Sequence, residues 1–269
     1  MVGADESSQR AVLDRVMAEL EGIDKTCTPP EIGQIVHRIV RAEVMADDPY
    51  AKIKAESTRQ ALGLYPRLKA EAAKADDPLE CAVRLAIAGN IIDFAVDGMP
   101  GTRDALWESV QGVLSQPFAI GHLDAFRKTL GRAKGVLYLG DNAGETVFDR
   151  VLIEAMDVPV CYGVRGAPVL NDATRQDAIA AGIGEEAEIL PNGSDAPGTV
   201  LADCSAGFRR RFEDADMIIA KGQANYETLS TYDGEVFFLL RVKCPVIARD
   251  VGVPVGSIVC KGGERYARI

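Results

Sequence analysis

The chain has 269 residues, 47% of them hydrophobic, so it can bury a substantial core as one large domain or two smaller ones. Its 30 Lys and Arg against 40 Asp and Glu give a formal net charge of −10, which argues against a polyanion-binding surface and a nucleic-acid partner. No apolar run approaches the roughly 20 residues that cross a bilayer, and the polar, acidic N-terminus is unlike a signal peptide, so we expect a cytoplasmic protein with no membrane partner.

The cysteine and histidine content argues against zinc and against histidine-based catalysis. The six cysteines are widely dispersed, without a CxxC pair and without a Cys/His spacing that suits zinc. Of the two histidines, His37 lies in a helical stretch and His122 in the segment AIGHLDAF, and neither has a visible partner of a hydrolytic triad. We therefore expect reduced, structural cysteines and chemistry that uses other side chains.

Residues 1–130 have the pattern of successive helices. Thr28 is a candidate N-cap, with Glu31 at the reciprocal position of a capping box. Asp48 and Asp77 each precede a proline in the same manner, and apolar residues recur at spacings of three and four. We predict an all-helical bundle or cap domain in this part of the chain.

From residue 131 to 269 short apolar runs rich in Val and Ile alternate with helical segments. This alternation predicts an α/β domain with a mostly parallel sheet flanked by helices on both faces. The predicted strands are 135–140, 158–164, 215–222 and 244–250, with shorter candidates at 187–193 and 256–260.

Polar side chains follow these predicted strands. In a doubly wound sheet, ligands bind at the carboxyl ends of the strands, where the loops converge. Carboxylate and amide oxygens suit hard divalent cations, and lysine ammonium groups complement the phosphate that such cations bridge. This combination favours phosphoryl chemistry. The side chains are Asp141, Asn142, Glu145, Arg165, Asp172, Lys221 and Asn225, together with Lys243, which stands just before the run at 244–250.

Simpler structural interpretations exist for several of these residues. Asp141 and Asn142 could cap a helix that begins near Glu145, and Asp172 could cap the next helix. Lysines in loops are usually solvated, although Lys243 lies between two strongly apolar stretches. The segment at 140–147 lacks both the GK[ST] ending of a P-loop and a GxGxxG pattern, so neither common nucleotide motif applies.

Four segments together resemble the damage-control phosphatases, a family of metal-dependent enzymes, and look closest to its stand-alone microbial branch. The segments are LGDNAGE (139–145), GAPVLNDAT (166–174), AKGQANYETL (220–229) and LLRVKCPVIA (239–248). The resemblance implies a helical N-terminal part beside a Rossmann-like α/β domain. It also implies that Asp141, Asn142 and Asp172 hold one divalent metal (Mg²⁺, Mn²⁺, Co²⁺ or Ni²⁺), and that Lys221 and Lys243 hold the substrate phosphate.

One further helix carries polar residues on a single face. Asn90 and Asp93 lie three residues apart in the apolar stretch 81–98, and GNIID resembles a segment of the family. We expect both side chains to close the cleft from the helical domain, although a solvent-facing stripe is the simpler alternative. The cysteine pair that often opens members of this branch is absent from the N-terminus.

The resulting functional prediction is a metal-dependent hydrolase of small phosphomonoesters, such as sugar phosphates, phosphopantetheine-like compounds or nucleotides. Asp172, Asp93 or Glu145 would orient the attacking water, while a carboxylate nucleophile such as Asp141 stays an alternative. Arg165 and Asn225 are expected to contact substrate. A methyltransferase using S-adenosylmethionine and a non-catalytic nucleotide or metal sensor are the competing interpretations.

Overall fold

A computed structural model describes residues 5–92 and 103–262 of the chain. The helices in these ranges are α1 (Glu6–Leu20), α2 (Pro29–Val44), α3 (Ala51–Lys74), α4 (Pro78–Ala88), α5 (Arg103–Ser115), α6 (Leu123–Leu130), α7 (Thr146–Glu154), α8 (Arg175–Ala180), α9 (Ala206–Glu213), α10 (Gly222–Leu229) and α11 (Pro245–Val251). The strands are β1 (Phe118–Gly121), β2 (Val136–Leu139), β3 (Val160–Val164), β4 (Glu188–Pro191), β5 (Met217–Lys221), β6 (Val236–Arg241) and β7 (Ile258–Gly262). None of the described helices is both long and apolar enough to span a membrane.

The seven strands form one sheet in the order β1-β7-β6-β5-β2-β3-β4. The five strands from β6 to β4 are mutually parallel, whereas β7 runs antiparallel to β6 and parallel to β1. The chain builds outward from β2 to β4 in one direction and from β5 to β6 in the other. The order therefore reverses between β2 and β5, which is where a doubly wound sheet places its ligand. The predicted α/β class and mostly parallel sheet are confirmed.

The central strands are buried on both faces, as expected for parallel strands covered by helices. Tyr138 and Ile219 point to one face, where they share a buried cluster with Leu64 and Leu68 of α3. The intervening residues point to the other face, which α9, α10 and α11 cover. The N-terminal helices thus pack directly on the sheet that carries the predicted site.

Several predicted helix starts are present. The Glu31 carboxylate accepts a hydrogen bond of 2.7 Å from the backbone N–H of Thr28, which closes the capping box. Asp77 caps α4 by accepting from the Glu80 N–H at 3.1 Å. Asp48 accepts instead from the N–H of Tyr50, which is itself the residue that precedes α3.

Two details of the predicted order of elements are corrected. The strand predicted at 244–250 is wrong: Pro245–Val251 form helix α11, and Pro245 in its first turn lacks the N–H that a central strand would need. The strand lies just before them, as β6. Strand β1 also falls within the part predicted to be helical. The division of the chain into two domains at residue 130 stays a prediction.

Candidate active site

The candidate site lies at the carboxyl ends of β2 and β5, at the reversal of strand order. Leu139 pairs with Ala220 across these strands, so Asp141 and Lys221 follow at nearly the same level. Gly222 has a backbone φ of +77°, and a methyl group there would lie 1.9 Å from Asp141 Oδ2. This close approach places the acidic loop after β2 against the start of α10.

The three predicted metal ligands come together on two neighbouring loops. Asn142 and Asp172 are paired residues in a short antiparallel bridge. The Ala173 N–H donates to the Asp141 carbonyl oxygen at 2.8 Å, and the Ala143 N–H donates to the Asn171 carbonyl oxygen at 2.9 Å. Backbone hydrogen bonds on both sides of the pair therefore fix the two loops to each other.

Neither capping alternative applies to these residues. Glu145 is the residue that precedes α7, and Asp141 and Asn142 lie further upstream. Helix α8 is capped by Thr174, whose backbone N–H donates to Asp177 at 2.9 Å. Since Asp172 caps no helix, its buried carboxylate must be stabilised by another interaction.

Arg165, at the end of β3, forms an ion pair with the buried Asp172 carboxylate. Its Nε donates to Asp172 Oδ2 at 2.6 Å, and its Nη2 lies 3.9 Å from Asp141 Oδ1. Arg165 is 2% exposed, and it also donates to the carbonyl oxygen of Gly140 at 3.3 Å. The predicted substrate-binding arginine is therefore packed against the ligand loops.

Negative charge is in excess around Asp141. Burial raises the pKa of Asp141 well above its usual value, and the neighbouring charges of Asp172 and Glu145 raise it further. The positive charges of Arg165 and Lys243 act in the opposite direction but do not outweigh these effects on the pKa. A bound cation would relieve this imbalance.

Glu145 and Asn90 connect the site to the helical part of the chain. Asn90 lies in a 3₁₀ turn (Gly89–Ile92) after α4, and its Nδ2 donates to Glu145 Oε2 at 3.1 Å. Gly89 permits this contact, because a methyl group there would lie 2.9 Å from Glu145 Cγ. The Oδ1 atom of Asn90 is buried without a hydrogen-bond partner among the described residues, which leaves an acceptor beside the site.

The two predicted lysines occupy different environments. Lys221 is fully buried, and its ammonium group contacts Glu145, Asp149 and the carbonyl oxygen of Ala86. Lys243 follows β6 and is exposed, and its positive charge offsets a small part of the rise in the pKa of Asp141. Both lysines therefore lie at the carboxyl ends of neighbouring strands, Lys221 in the protein interior and Lys243 at the surface.

Asn225 is buried in α10 with its side chain turned to the protein. Its Nδ2 donates to the carbonyl oxygens of Gly140 at 3.2 Å and Lys221 at 2.7 Å, and its Oδ1 accepts from Thr199 at 2.7 Å. These bonds fix the backbone before Asp141. Asp93, the remaining predicted site residue, lies outside the described residues.

A family model decides the relationship that the motifs indicate. The model of the damage-control phosphatase ARMT1-like domain matches residues 1–259. The chain belongs to this family. A damage-control phosphatase of Pyrococcus horikoshii is 38% identical over 219 residues, covering 80% of this chain and 74% of the relative. A damage-control phosphatase of Archaeoglobus fulgidus is 36% identical over 233 residues, covering 84% and 80%.

The fold of the family agrees with this assignment. A crystal structure of a DUF89 family protein from Pyrococcus horikoshii superposes with a TM-score of 0.90 at 32% sequence identity. The match covers 98% of this chain and 92% of that one. The resemblance read from four short segments is thus confirmed along nearly the whole chain.

The donor set of this family member fits a hard divalent cation. Within the described ranges, no three histidine, cysteine, aspartate or glutamate side chains are arranged to hold a metal ion. The candidate set instead combines the carboxylates of Asp141 and Asp172 with the amide oxygen of Asn142. Mg²⁺ and similar ions are commonly held by one or two carboxylates together with water and substrate phosphate. Two carboxylates, an amide and the surplus negative charge suit that class of ion.

Sequence reasoning missed a buried group directly beneath the site. Asp149 is fully buried and accepts hydrogen bonds from the hydroxyls of Tyr138 at 2.8 Å and Tyr162 at 2.7 Å. One signal was available, because Asp149 lies four residues after Glu145 on a helix that is otherwise largely apolar. Its partners come from two strands, and no local pattern pairs them with it.

A groove of about 1000 Å³ lies at the amino ends of the central strands, opposite the candidate site. It is lined by the beginnings of β2 and β3 and by charged residues of both signs, among them Lys134, Glu186, Arg210 and Asp216. None of the candidate site residues lines this groove. Its mixed charge selects no particular class of ligand.

Proposed function

We propose that this damage-control phosphatase hydrolyses small phosphomonoesters with a divalent cation held by Asp141, Asn142 and Asp172. The observation that carries the proposal is that the buried carboxylates of Asp141 and Asp172 and the side chain of Asn142 lie on two hydrogen-bonded loops at the reversal of strand order. A cation of this kind, when bound, polarises a phosphoryl oxygen and offsets the charge of the phosphate. Mg²⁺, Mn²⁺, Co²⁺ and Ni²⁺ are the candidates.

The protein's own residues would divide the remaining work. Arg165 holds the Asp172 carboxylate in place through the 2.6 Å hydrogen bond. Lys243, exposed at the same edge, would hold phosphate oxygens of the substrate. Glu145 is the favoured residue for orienting the attacking water and accepting its proton, because Oε2 faces Asn142 at 3.4 Å.

The substrate class that this arrangement favours is a small compound with a terminal phosphate. Sugar phosphates, phosphopantetheine-like compounds and nucleotides all present a terminal phosphate to such a site. The organic part would contact the helical region, from which Asn90 reaches Glu145. We also propose that the enzyme works in the cytoplasm, where its six free cysteines stay reduced. No contact among the described residues favours the methyltransferase or sensor interpretation.

The test is phosphate release from a panel of phosphomonoesters, with each metal added back to chelator-treated protein. We expect activity to disappear on chelation and to return with at least one of the four ions. Asp141→Asn and Asp172→Asn should each lower kcat/KM by about 10²-fold or more, because each removes a ligand charge.

Asp250→Asn is the matched control. Asp250 is an exposed carboxylate on α11 that accepts from the Tyr226 hydroxyl at 2.8 Å, and we expect this variant to retain kcat/KM within about two-fold. Activity that persists in the chelator, or in Asp141→Ala, would contradict the proposed function.

A further inference from the structure

Both carboxylate oxygens of Asp149 accept hydrogen bonds from side chains of the sheet. Tyr138 and Tyr162 are paired residues on adjacent strands, and their rings stack with centroids 5.3 Å apart. Each hydroxyl donates to a different oxygen of Asp149. Burial and the charge of Asp149 raise the pKa of both tyrosines well above the usual value, so both stay neutral donors.

Lys221 uses all its hydrogen-bonding capacity inside this network. An ammonium group has three N–H donors. Lys221 Nζ has three acceptors, namely Asp149 Oδ1, Glu145 Oε1 at 2.5 Å and the Ala86 carbonyl oxygen at 2.9 Å. Burial by itself lowers the pKa of Lys221, but Asp149 and Glu145 outweigh that effect and raise it. The side chain is therefore a charged and saturated donor.

Glu145 faces both this network and the candidate metal ligands. Its Oε1 is bound to Lys221, while its Oε2 accepts from Asn90 and Asn142. At 1% exposure the carboxylate has no room for free rotation. The direction of Oε2 is consequently set by whatever fixes Oε1.

We propose that Lys221 and Asp149 are positioning residues for Glu145, and that Lys221 does not contact the substrate phosphate. Asp149, fixed by two tyrosines, holds Lys221, and Lys221 orients Glu145 toward Asn142. This inference rests on the proposed function, in which Glu145 contacts the attacking water. A phosphate dianion on Lys221 would displace one of two carboxylates and lie beside the other, which like-charge repulsion disfavours.

The test separates phosphate binding from turnover. Inorganic phosphate is titrated calorimetrically into Mn²⁺-loaded wild type, Lys221→Met and Lys243→Met. We expect Lys243→Met to weaken phosphate binding by about tenfold or more, and Lys221→Met to change it by less than about threefold. Lys221→Met should nevertheless lower kcat by about 10²-fold, because Glu145 loses its orientation. Equal weakening of phosphate binding by the two variants overturns the proposal.

Asp149→Asn and Tyr162→Phe are milder variants if Lys221→Met does not fold. We expect Asp149→Asn to lower kcat by about tenfold and Tyr162→Phe by about threefold, each with KM within about threefold of wild type. An unchanged kcat in Asp149→Asn, with or without a rise in KM, overturns the positioning role. Neither outcome would affect the proposed phosphatase activity of the wild type.

Lys54→Met is the matched control for a buried lysine. Lys54 is 2% exposed and lies between two carboxylates, Asp48 at 2.6 Å and Asp177 at 2.8 Å, with no contact to Glu145. We expect its kcat to stay within about twofold of wild type at a temperature where it is folded. If the wild type releases no phosphate with any metal, the proposed function fails. In that case crystal structures of the wild type and Asp149→Asn test the positioning role. The role is contradicted if Lys221 and Glu145 keep their positions in Asp149→Asn.

Discussion

Gly222 lies at the closest approach between the two halves of the candidate site. Its positive φ is a conformation that side chains rarely adopt, and its missing side chain leaves the space that Asp141 occupies. The residue therefore serves both the backbone turn into α10 and the position of a ligand carboxylate.

Gly222→Ala should displace Asp141 as well as strain the backbone. We expect Mn²⁺ affinity, measured by calorimetry, to fall by about tenfold or more, and the free energy of unfolding to fall by about 1–2 kcal/mol or more. Gly252→Ala is the control, because Gly252 has a φ of +81° with no atom within 4 Å of the added methyl group. Equal Mn²⁺ affinity in the two variants would contradict this role of Gly222.

The candidate metal ligands could be predicted from sequence, whereas the buried hydrogen-bond network around Asp149 could not. Asp141 and Asp172 follow apolar runs, and strand ends converge in a parallel sheet whatever the details of packing. The hydroxyls that hold Asp149 depend on the register between β2 and β3, which pairs Tyr138 with Tyr162. Register is a property of the assembled sheet, and the residues read singly look like core aromatics.

At the scale of elements, helix α2 is tied to the loop after β4 by one carboxylate. Asp195 accepts hydrogen bonds from Gln34, Arg38 and Arg41, all on α2. Burial tends to raise the pKa of Asp195, but these three donors lower it to about 2. The ionised carboxylate thus stabilises the packing of α2 against the α/β part.

Asp195→Asn should destabilise the protein at neutral pH and less in acid. The pKa of this carboxyl is about 3.9 in the unfolded chain, so its contribution of about 2 kcal/mol to the free energy of unfolding is present above pH ~4 and is lost as the pH falls toward about 2. Urea unfolding at pH 7 and at about pH 2.5 measures this difference. The exposed Asp157→Asn should show little effect at either pH. A pH-independent loss would contradict the assigned cause.

Helix ends proved easier to predict than short apolar segments. Thr28 with Glu31, and Asp77, mark starts through hydrogen bonds that close within four residues. The apolar run at 244–250 is only seven residues long and contains the β-branched pair Val246 and Ile247, so periodicity does not distinguish strand from helix there. In the structure β6 forms the strand that pairs with β5 and β7, and α11 packs against one face of the sheet.

At the scale of the whole molecule, the helical part and the sheet share one buried cluster. Leu64 and Leu68 of α3 belong to the same cluster as Tyr162 and Ile219 of the sheet. Buried surface that spans both parts couples their unfolding. We therefore expect the chain to melt as one cooperative unit.

Leu68→Ala tests this coupling. Leu68 is 0% exposed, so its truncation should cost about 2–5 kcal/mol and shift a single calorimetric transition to lower temperature. Leu62→Ala, at a position 38% exposed on the same helix, should cost less than about 1 kcal/mol. Two separate transitions, of which only one moves, would show that the helical part unfolds independently.

The position of β7 has a consequence for biosynthesis. It is inserted between β6 and β1, and it hydrogen-bonds to the turn after β1 across 140 residues of chain. While the nascent polypeptide is still emerging from the ribosome, β1 has no neighbour and the apolar margin of β6 is uncovered. Products that terminate before residue 258 should therefore aggregate rather than accumulate as partly active enzyme.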